Sequence, residues 1–171
     1  VRTQAATDNG GYNYTASNFI DVIDDGGGSS SLNGGANDDV LNGNGGDDDL
    51  FGGDGSDTMN GGGNDDTFHF QVSNVSGIDT ISGGGGLHDL VSAGGFNAAV
   101  RIRLAAAAAA EVETRDALDL LGGTLRALAQ FADETVEDAL GSAFDDELIG
   151  NAGANILQGG SGDDRLAGGL G

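Results

Sequence analysis

The chain of 171 residues contains no cysteine, no proline, no tryptophan and no lysine. Without cysteine there is no disulfide to staple the fold and no thiolate to ligate a metal or act as a nucleophile. That absence does not place the chain in the cytosol, because small exported folds can be stapled by means other than disulfides. Positive charge is nearly missing too. The six basic residues are Arg2, Arg101, Arg103, Arg115, Arg126 and Arg165, none lies between Thr3 and Val100, and the formal net charge is -22. Such a surface repels nucleic acid and anionic membrane and suits cations or basic partners. No stretch approaches the ~20 apolar residues of a membrane span, so membrane insertion is excluded as well. Histidine is limited to His69 and His88, each best read as a strand or turn residue, and neither an H-E-x-x-H helix nor a G-x-S-x-G elbow occurs. The segment is therefore not expected to be an enzyme. It begins without Met or a charged-then-apolar leader and stops at Gly168-Gly169-Leu170-Gly171, which reads as a piece of a longer protein.

What the chain does have is a nine-residue repeat. Between Ala16 and His69 it runs ASNFIDVID, DGGGSSSLN, GGANDDVLN, GNGGDDDLF, GGDGSDTMN and GGGNDDTFH without an insertion. The sixth position is Asp in every unit except the second, which has Ser30, and the eighth is Ile23, Leu32, Leu41, Leu50, Met59 or Phe68. Gly and Asn dominate the first four positions and provide backbone with φ > 0 at low steric cost. A turn of that kind leaves carbonyl oxygens pointing inward, and the position-six carboxylate joins them. Such oxygens are the ligands a hard cation like Ca²⁺ takes, six to eight at a time. The apolar eighth residue falls in a three-residue strand whose neighbours face the other way.

Two units make one coil, so residues 18 apart stack: Asp21, Asp39 and Asp57 on one edge, Ser30, Asp48 and Asp66 on the other. Stacked strands lie ~4.8 Å apart. Two bare carboxylates at that spacing repel by about 0.9 kcal/mol at ε of 80 and about 3.5 kcal/mol at ε of 20. The few inward apolar side chains do not offset both that repulsion and the entropy of ordering the backbone. A cation between the rungs reverses the sign, and the coil is expected to fold only with calcium.

The pattern returns as GSAFDDELI, GNAGANILQ and GGSGDDRLA over 141–167, with Asp146 and Asp164 on one edge and Asn155 in the Asp position on the other. Phe19 and Phe144 at position four mark these as first turns, with Phe closing the coil end. Between the blocks, Phe68-His69-Phe70 reads as the last strand of the first coil. Gly77–Ile81 and His88–Val91 are weaker echoes cut off by insertions. Val100–Leu104 alternates as a half-buried strand, its arginines neutralising nearby carboxylates. Ala105–Ala110 with EVETRDALDLL predicts a helix, supported by Glu111/Arg115 and Arg115/Asp119 pairs and stopped by Gly122-Gly123. A second short helix follows from Thr124, with Leu125, Leu128 and Phe131 or Ala132 on one face.

The segments GGANDDVLN, GGDGSDTMN, GGGNDDTFHF and LGSAFDDELIGNAGANILQGGSGDDRLAGG resemble the RTX, or haemolysin-type, calcium-binding repeat proteins, whose signature is this nonapeptide. The resemblance covers 16–92 and 132–171 and is absent over about 105–131. It implies an all-β fold: a right-handed parallel β-roll (a β-solenoid) in two blocks with a helical insertion between them. The division is an N-terminal lead-in 1–15, a first block 16–92, a strand plus helical insertion 93–131, and a second block 132–171. Several Ca²⁺ ions are implied between successive turns on each edge, held by position-six carboxylates and by carbonyls near positions two and four. Carried onto this chain, that set is Asp21, Gly35, Asn37, Asp39, Gly53, Gly55 and Asp57 on one edge. On the other it is Asn44, Gly46, Asp48, Gly62, Asn64 and Asp66, and in the second block Asp146, Gly160, Gly162 and Asp164. Ser30 cannot replace a carboxylate, which puts the Ser30/Asp48 site in doubt, and Phe19 and Phe144 weaken the sites above Asp21 and Asp146.

The family also implies secretion from a Gram-negative bacterium by type I export, although the C-terminal signal those exporters read is not in this chain. Fold does not settle function. The leading expectation is a calcium-binding structural module of an extracellular surface-layer, adhesin or filament protein. Its partners would be calcium, other copies of itself, or cell-surface polysaccharide, with Asp38, Asp47, Asp49 and Asp65 unpaired and available for bridging. The alternative is a module accessory to a secreted polysaccharide-modifying enzyme, protease or lipase whose catalytic domain lies elsewhere.

Overall fold

A computed structural model describes residues 2–5, 11–16, 18–71, 77–104, 111–114, 126–131 and 135–169. Through the repeats the chain alternates between two parallel sheets. The first sheet takes β1 (Arg2–Ala5), β3 (Asp21–Asp24), β5 (Val40–Asn42), β7 (Thr58–Gly63) and β9 (Asp79–Gly85). The second takes β2 (Asn13–Thr15), β4 (Ser31–Ala36), β6 (Asp49–Asp54), β8 (Thr67–Gln71) and β10 (Leu90–Gly95). Register follows the 18-residue period: Val22 pairs Val40 and Val40 pairs Thr58, while Ser31 pairs Asp49. The period-two geometry of each short strand sends position eight inward. Ile23, Leu41, Met59 and Ile81 from one sheet meet Leu32, Leu50, Phe68 and Val91 from the other, all fully buried. This is the all-β parallel solenoid that the repeat implies.

The coil does not end at Phe70. β8 pairs β10 in parallel, and β10 pairs β14 (Asp138–Leu140), so the second sheet runs on to β16 (Leu157–Gln158). Phe70 is 1% exposed, a core residue rather than a terminal one. In the first sheet, β11 (Val100–Arg103) pairs in parallel with β15 (Glu147–Ile149), and β15 with β17 (Arg165–Ala167). Val100, Ile102 and Leu104 are buried, as their alternation indicates. Arg101 Nε lies 2.5 Å from Glu147 Oε2 on the neighbouring strand, the expected neutralisation.

The helical insertion is where the structure departs from expectation. Glu111–Thr114 is a strand, β12, antiparallel to β11, and Arg126–Phe131 is a strand, β13, antiparallel to β12 and parallel to β9. Leu128 and Phe131 thus lie on a strand, not on a helix face. The remainder of the two expected helices, 105–110 and 115–125, lies outside the described residues. Helix propensity among ordinary residues is worth only tenths of a kcal/mol each. Against that, β9 and β11 present facing edges whose backbone groups need partners. Two added strands satisfy both edges, and the runs EVET and RALAQF alternate well enough to serve. Among the described residues the first sheet consequently has ten strands and the second seven.

Candidate metal centre

The position-six side chains line the two edges where the chain passes between sheets, and each holds the turn before it. On the first edge the backbone N–H of Asp21 donates to Asp39 Oδ1 (2.7 Å), that of Asp39 to Asp57 Oδ1 (2.8 Å) and that of Asp57 to Asp79 Oδ1 (2.9 Å). Beyond the inserted strands the pattern resumes with Val100 N–H on Asp146 Oδ1 (2.7 Å) and Asp146 N–H on Asp164 Oδ1 (2.9 Å). On the second edge Ser30 N–H donates to Asp48 Oδ1 (2.7 Å), Asp48 to Asp66 (2.9 Å) and Asp66 to Asp89 (2.8 Å). Asp89 N–H then donates to Glu137 Oε2 at 3.0 Å.

Asp79, Asp89 and Glu137 were not among the residues expected here. The insertions after Gln71 stretch the spacing to 22 and 23 residues without breaking the ladders. The signal was present in the echoes Gly77–Ile81 and His88–Val91, which keep an Asp two residues before an apolar one.

One oxygen of each carboxylate is thus used; in several of them the other is not. Asp39, Asp48, Asp57 and Asp66 each have Oδ2 fully buried with no hydrogen-bond partner. A buried oxygen bearing negative charge is costly without a compensating group. Burial accordingly pushes the carboxyls of Asp48, Asp66 and Asp79 up to about 7 and that of Asp39 up to about 6, against the pull of their backbone hydrogen bonds. Asp57, Asp146 and Glu137 are raised for the same first reason.

Where these oxygens point is shown by the glycines at position one. A Cβ placed on Gly34, Gly43, Gly61 or Gly141 would lie within 3.0 Å of the inner oxygen, Oδ2, of its own unit's Asp. It would lie equally close to the position-one carbonyl oxygen one turn on, of Gly52, Gly61, Gly83 or Gly159 respectively. Between successive turns a carboxylate oxygen and a backbone carbonyl oxygen therefore converge beside the position-one residue, and only glycine fits there. Among the described residues no three His, Cys, Asp or Glu side chains converge, so the remaining donors at such a site would be carbonyls and water. A hard, oxygen-seeking divalent cation fits that donor set and neutralises the stacked carboxylates. The position-one glycines were missed in reading the sequence, although they recur in nearly every unit.

The carbonyl-bearing residues expected at positions two and four adopt the left-handed backbone that the turn needs. Asn37, Asn44 and Asn64 have φ of 75, 67 and 78°, and Gly35, Gly46, Gly53, Gly55, Gly62, Gly160 and Gly162 are likewise positive. Successive turns approach closely there: a Cβ on Gly53 or Gly62 would strike the carbonyl group of Gly35 or Asn44.

Two expectations are corrected. Phe19 and Phe144 are 57 and 44% exposed, so neither plugs the core, and β11 precedes the turn of Phe144. Asp146 differs from the other ladder carboxylates in that Ser142 donates to its Oδ2 from its backbone N–H (2.5 Å) and its hydroxyl (3.1 Å). Nor do the outer aspartates stand unpaired. Asp38 Oδ1 accepts from Ser56 N–H, Asp47 Oδ1 from Asp65 N–H, and Asp65 Oδ1 from Leu87 and His88 N–H. These position-five bonds run from each turn to the following one, opposite in sense to the inner ladder, so neighbouring turns are tied twice. Asp49 lies 2.6 Å from His69 Nε2, whose ring stacks on Phe51.

The sequence profile of the RTX calcium-binding nonapeptide repeat, a unit of four copies, matches residues 15–50, 42–70 and 140–171, just over half of the chain. The chain belongs to the RTX calcium-binding repeat family. RTX nonapeptides bind calcium ions, and the donor set between the turns agrees with that ion. No curated protein matches the chain. The RTX roll is a structural calcium-binding module rather than a catalytic one, and among the described residues no helix is long and apolar enough to cross a membrane.

Proposed function

We propose that this RTX chain is a calcium-folded structural module of a secreted bacterial surface protein, of the surface-layer, adhesin or filament kind. The observation that carries the reading is the double row of buried carboxylates whose inner oxygens have no partner. With calcium between the turns, ion binding is folding free energy, and the roll forms where calcium is millimolar. The ions would be held by Asp39, Asp57 and Asp79 on one edge and by Asp48, Asp66 and Asp89 on the other, with the carbonyls of Gly52, Gly61 and Gly83 one turn on from Asp39, Asp48 and Asp66. Asp21, Asp146 and Asp164 extend the first row, and the left-handed residues at positions two and four, such as Gly35, Asn37, Gly62 and Asn64, shape the turns that present the carbonyls.

A surface role follows from a chain whose outer faces are acidic and whose rigidity is set by the medium. Protein–protein or polysaccharide contacts would form only after export.

The test is far-UV circular dichroism during a calcium titration, with magnesium as the control. A cooperative gain of β signal with calcium alone is expected, because magnesium demands a tighter octahedron and gives up water reluctantly. A fully folded spectrum in chelator, unchanged by calcium, would refute the reading.

A further inference from the structure

On the second edge, one unit breaks the pattern twice. The unit 25–33 has Ser30 where the other units of the first block have Asp, and Asp25 at position one where Gly34, Gly43, Gly52 and Gly61 stand in the following units. We propose that the two departures are one exchange, and that Asp25 is a calcium ligand supplying the carboxylate that Ser30 lacks. The inference rests on the calcium reading of the ladders.

The backbone at Asp25 is placed as at a regular position one: its N–H donates to Asn42 O at 2.9 Å, as that of Gly43 donates to Asn60 O at 2.9 Å. A side chain at position one therefore leaves the backbone in the direction that, at Gly43, meets Asp48 Oδ2 and Gly61 O. In the first unit of this edge the corresponding groups are the short Ser30 side chain and the carbonyl of Gly43. A carboxylate fits there because the neighbouring one has been shortened to a hydroxymethyl.

The two tasks of the position-six carboxylate are then divided. Ser30 Oγ accepts the N–H of Tyr12 at 3.0 Å, which keeps the ladder bond to the preceding turn. Asp25 provides the other oxygen. It is 4% exposed, and its Oδ1 is buried with no hydrogen-bond partner, like the inner oxygens of Asp48 and Asp66. Its Oδ2 accepts from Gly27 N–H at 3.3 Å, which orients the group from within its own turn. That local bond explains one oxygen and leaves the buried one unexplained; a cation does explain it. Asp25 is also near enough to Asp48 to help raise that carboxyl, behind burial itself.

The experiment counts calcium per chain by native mass spectrometry, with circular dichroism on the same samples, for Asp25→Asn, Asp25→Gly, the exchange Asp25→Gly/Ser30→Asp, and Asp66→Asn. Asp25→Gly is expected to hold one ion fewer, and the exchange to restore it by recreating the regular unit. Asp25→Asn keeps an oxygen for Gly27 N–H and so keeps the turn; it should bind one ion ~10-fold or more weakly through loss of ligand charge. It decides the matter if the glycine variant does not fold. Should both Asp25 variants keep the full complement at unchanged affinity while Asp66→Asn loses an ion, Asp25 only shapes its turn and the proposal is overturned. If Asp66→Asn loses none either, the ladder reading itself fails and this inference falls with it.

Discussion

Replacing Gly43 by alanine tests the space between turns most directly, because a matched control stands two residues away. An alanine Cβ at 43 would lie 2.5 Å from Gly61 O and under 3.0 Å from Asp48 Oδ2. Ordinary carbon–oxygen contact is about 3.3 Å or more, so the overlap is several tenths of an ångström. One partner is backbone and cannot swing aside, and Asp48 is held by its bond from Ser30 N–H. The methyl group therefore occupies the volume assigned to an ion. At Gly45 the nearest atom to a Cβ is Gly27 Cα at 3.8 Å, an ordinary contact. Neither glycine has positive φ, so backbone strain does not separate the two substitutions. Gly45→Ala should be neutral or stabilising by ~0.4–1 kcal/mol through the unfolded chain. Gly43→Ala should lose one bound ion, worth about 2.7 kcal/mol at calcium 100-fold above its dissociation constant. For a chain of this size that is a fall of roughly 5–11 °C in Tm. Calorimetric calcium titration with thermal melts at fixed calcium reads both quantities. Equal ion counts and equal melts for the two variants would refute the placement of the site.

Acidity should oppose calcium while favouring the calcium-free coil. Asp48, Asp66 and Asp79 have folded values near 7 against an ordinary ~3.9 when unfolded. Between those limits the folded state binds more protons, so the stability of the calcium-free coil rises as pH falls from about 7 to about 4 and is lost as pH climbs back through 7. Circular dichroism in chelator at pH 5 and pH 8 checks the first part. The calcium midpoint, moving to higher concentration at pH 5, checks the second. Phe68→Ala removes a fully buried ring from the centre of the core and should cost ~3–5 kcal/mol. Its signature is a higher calcium midpoint with an unchanged number of ions, since it touches no ligand; a lost ion would show that core and site are not separable.

Much of the molecule was legible because the repeat carries two signals in one register. An apolar residue at every eighth position of a nine-residue unit names the inward face, and an Asp at every sixth names the edges. Leu32, Leu41, Leu50 and Met59 lie fully buried, and Asp39, Asp48, Asp57 and Asp66 are within 2% of full burial. The left-handed Asn37, Asn44 and Asn64 were legible for the same reason, since asparagine tolerates that conformation.

Other features depended on which strands meet. Asp79 and Asp89 join the ladders because hydrogen bonding between turns is indifferent to how many residues loop out between them, whereas a fixed spacing is not. The strands Glu111–Thr114 and Arg126–Phe131 override a helical composition because two open sheet edges flank them. Ser30 is legible as a departure from the repeat, but its relation to Asp25 depends on position one facing position six. Sequence alone determined the period, the inward face and the acidic edges, since each is a property of one unit repeated. Only the tertiary structure decided where the coil continues and which oxygens face each other, because those depend on contacts between turns.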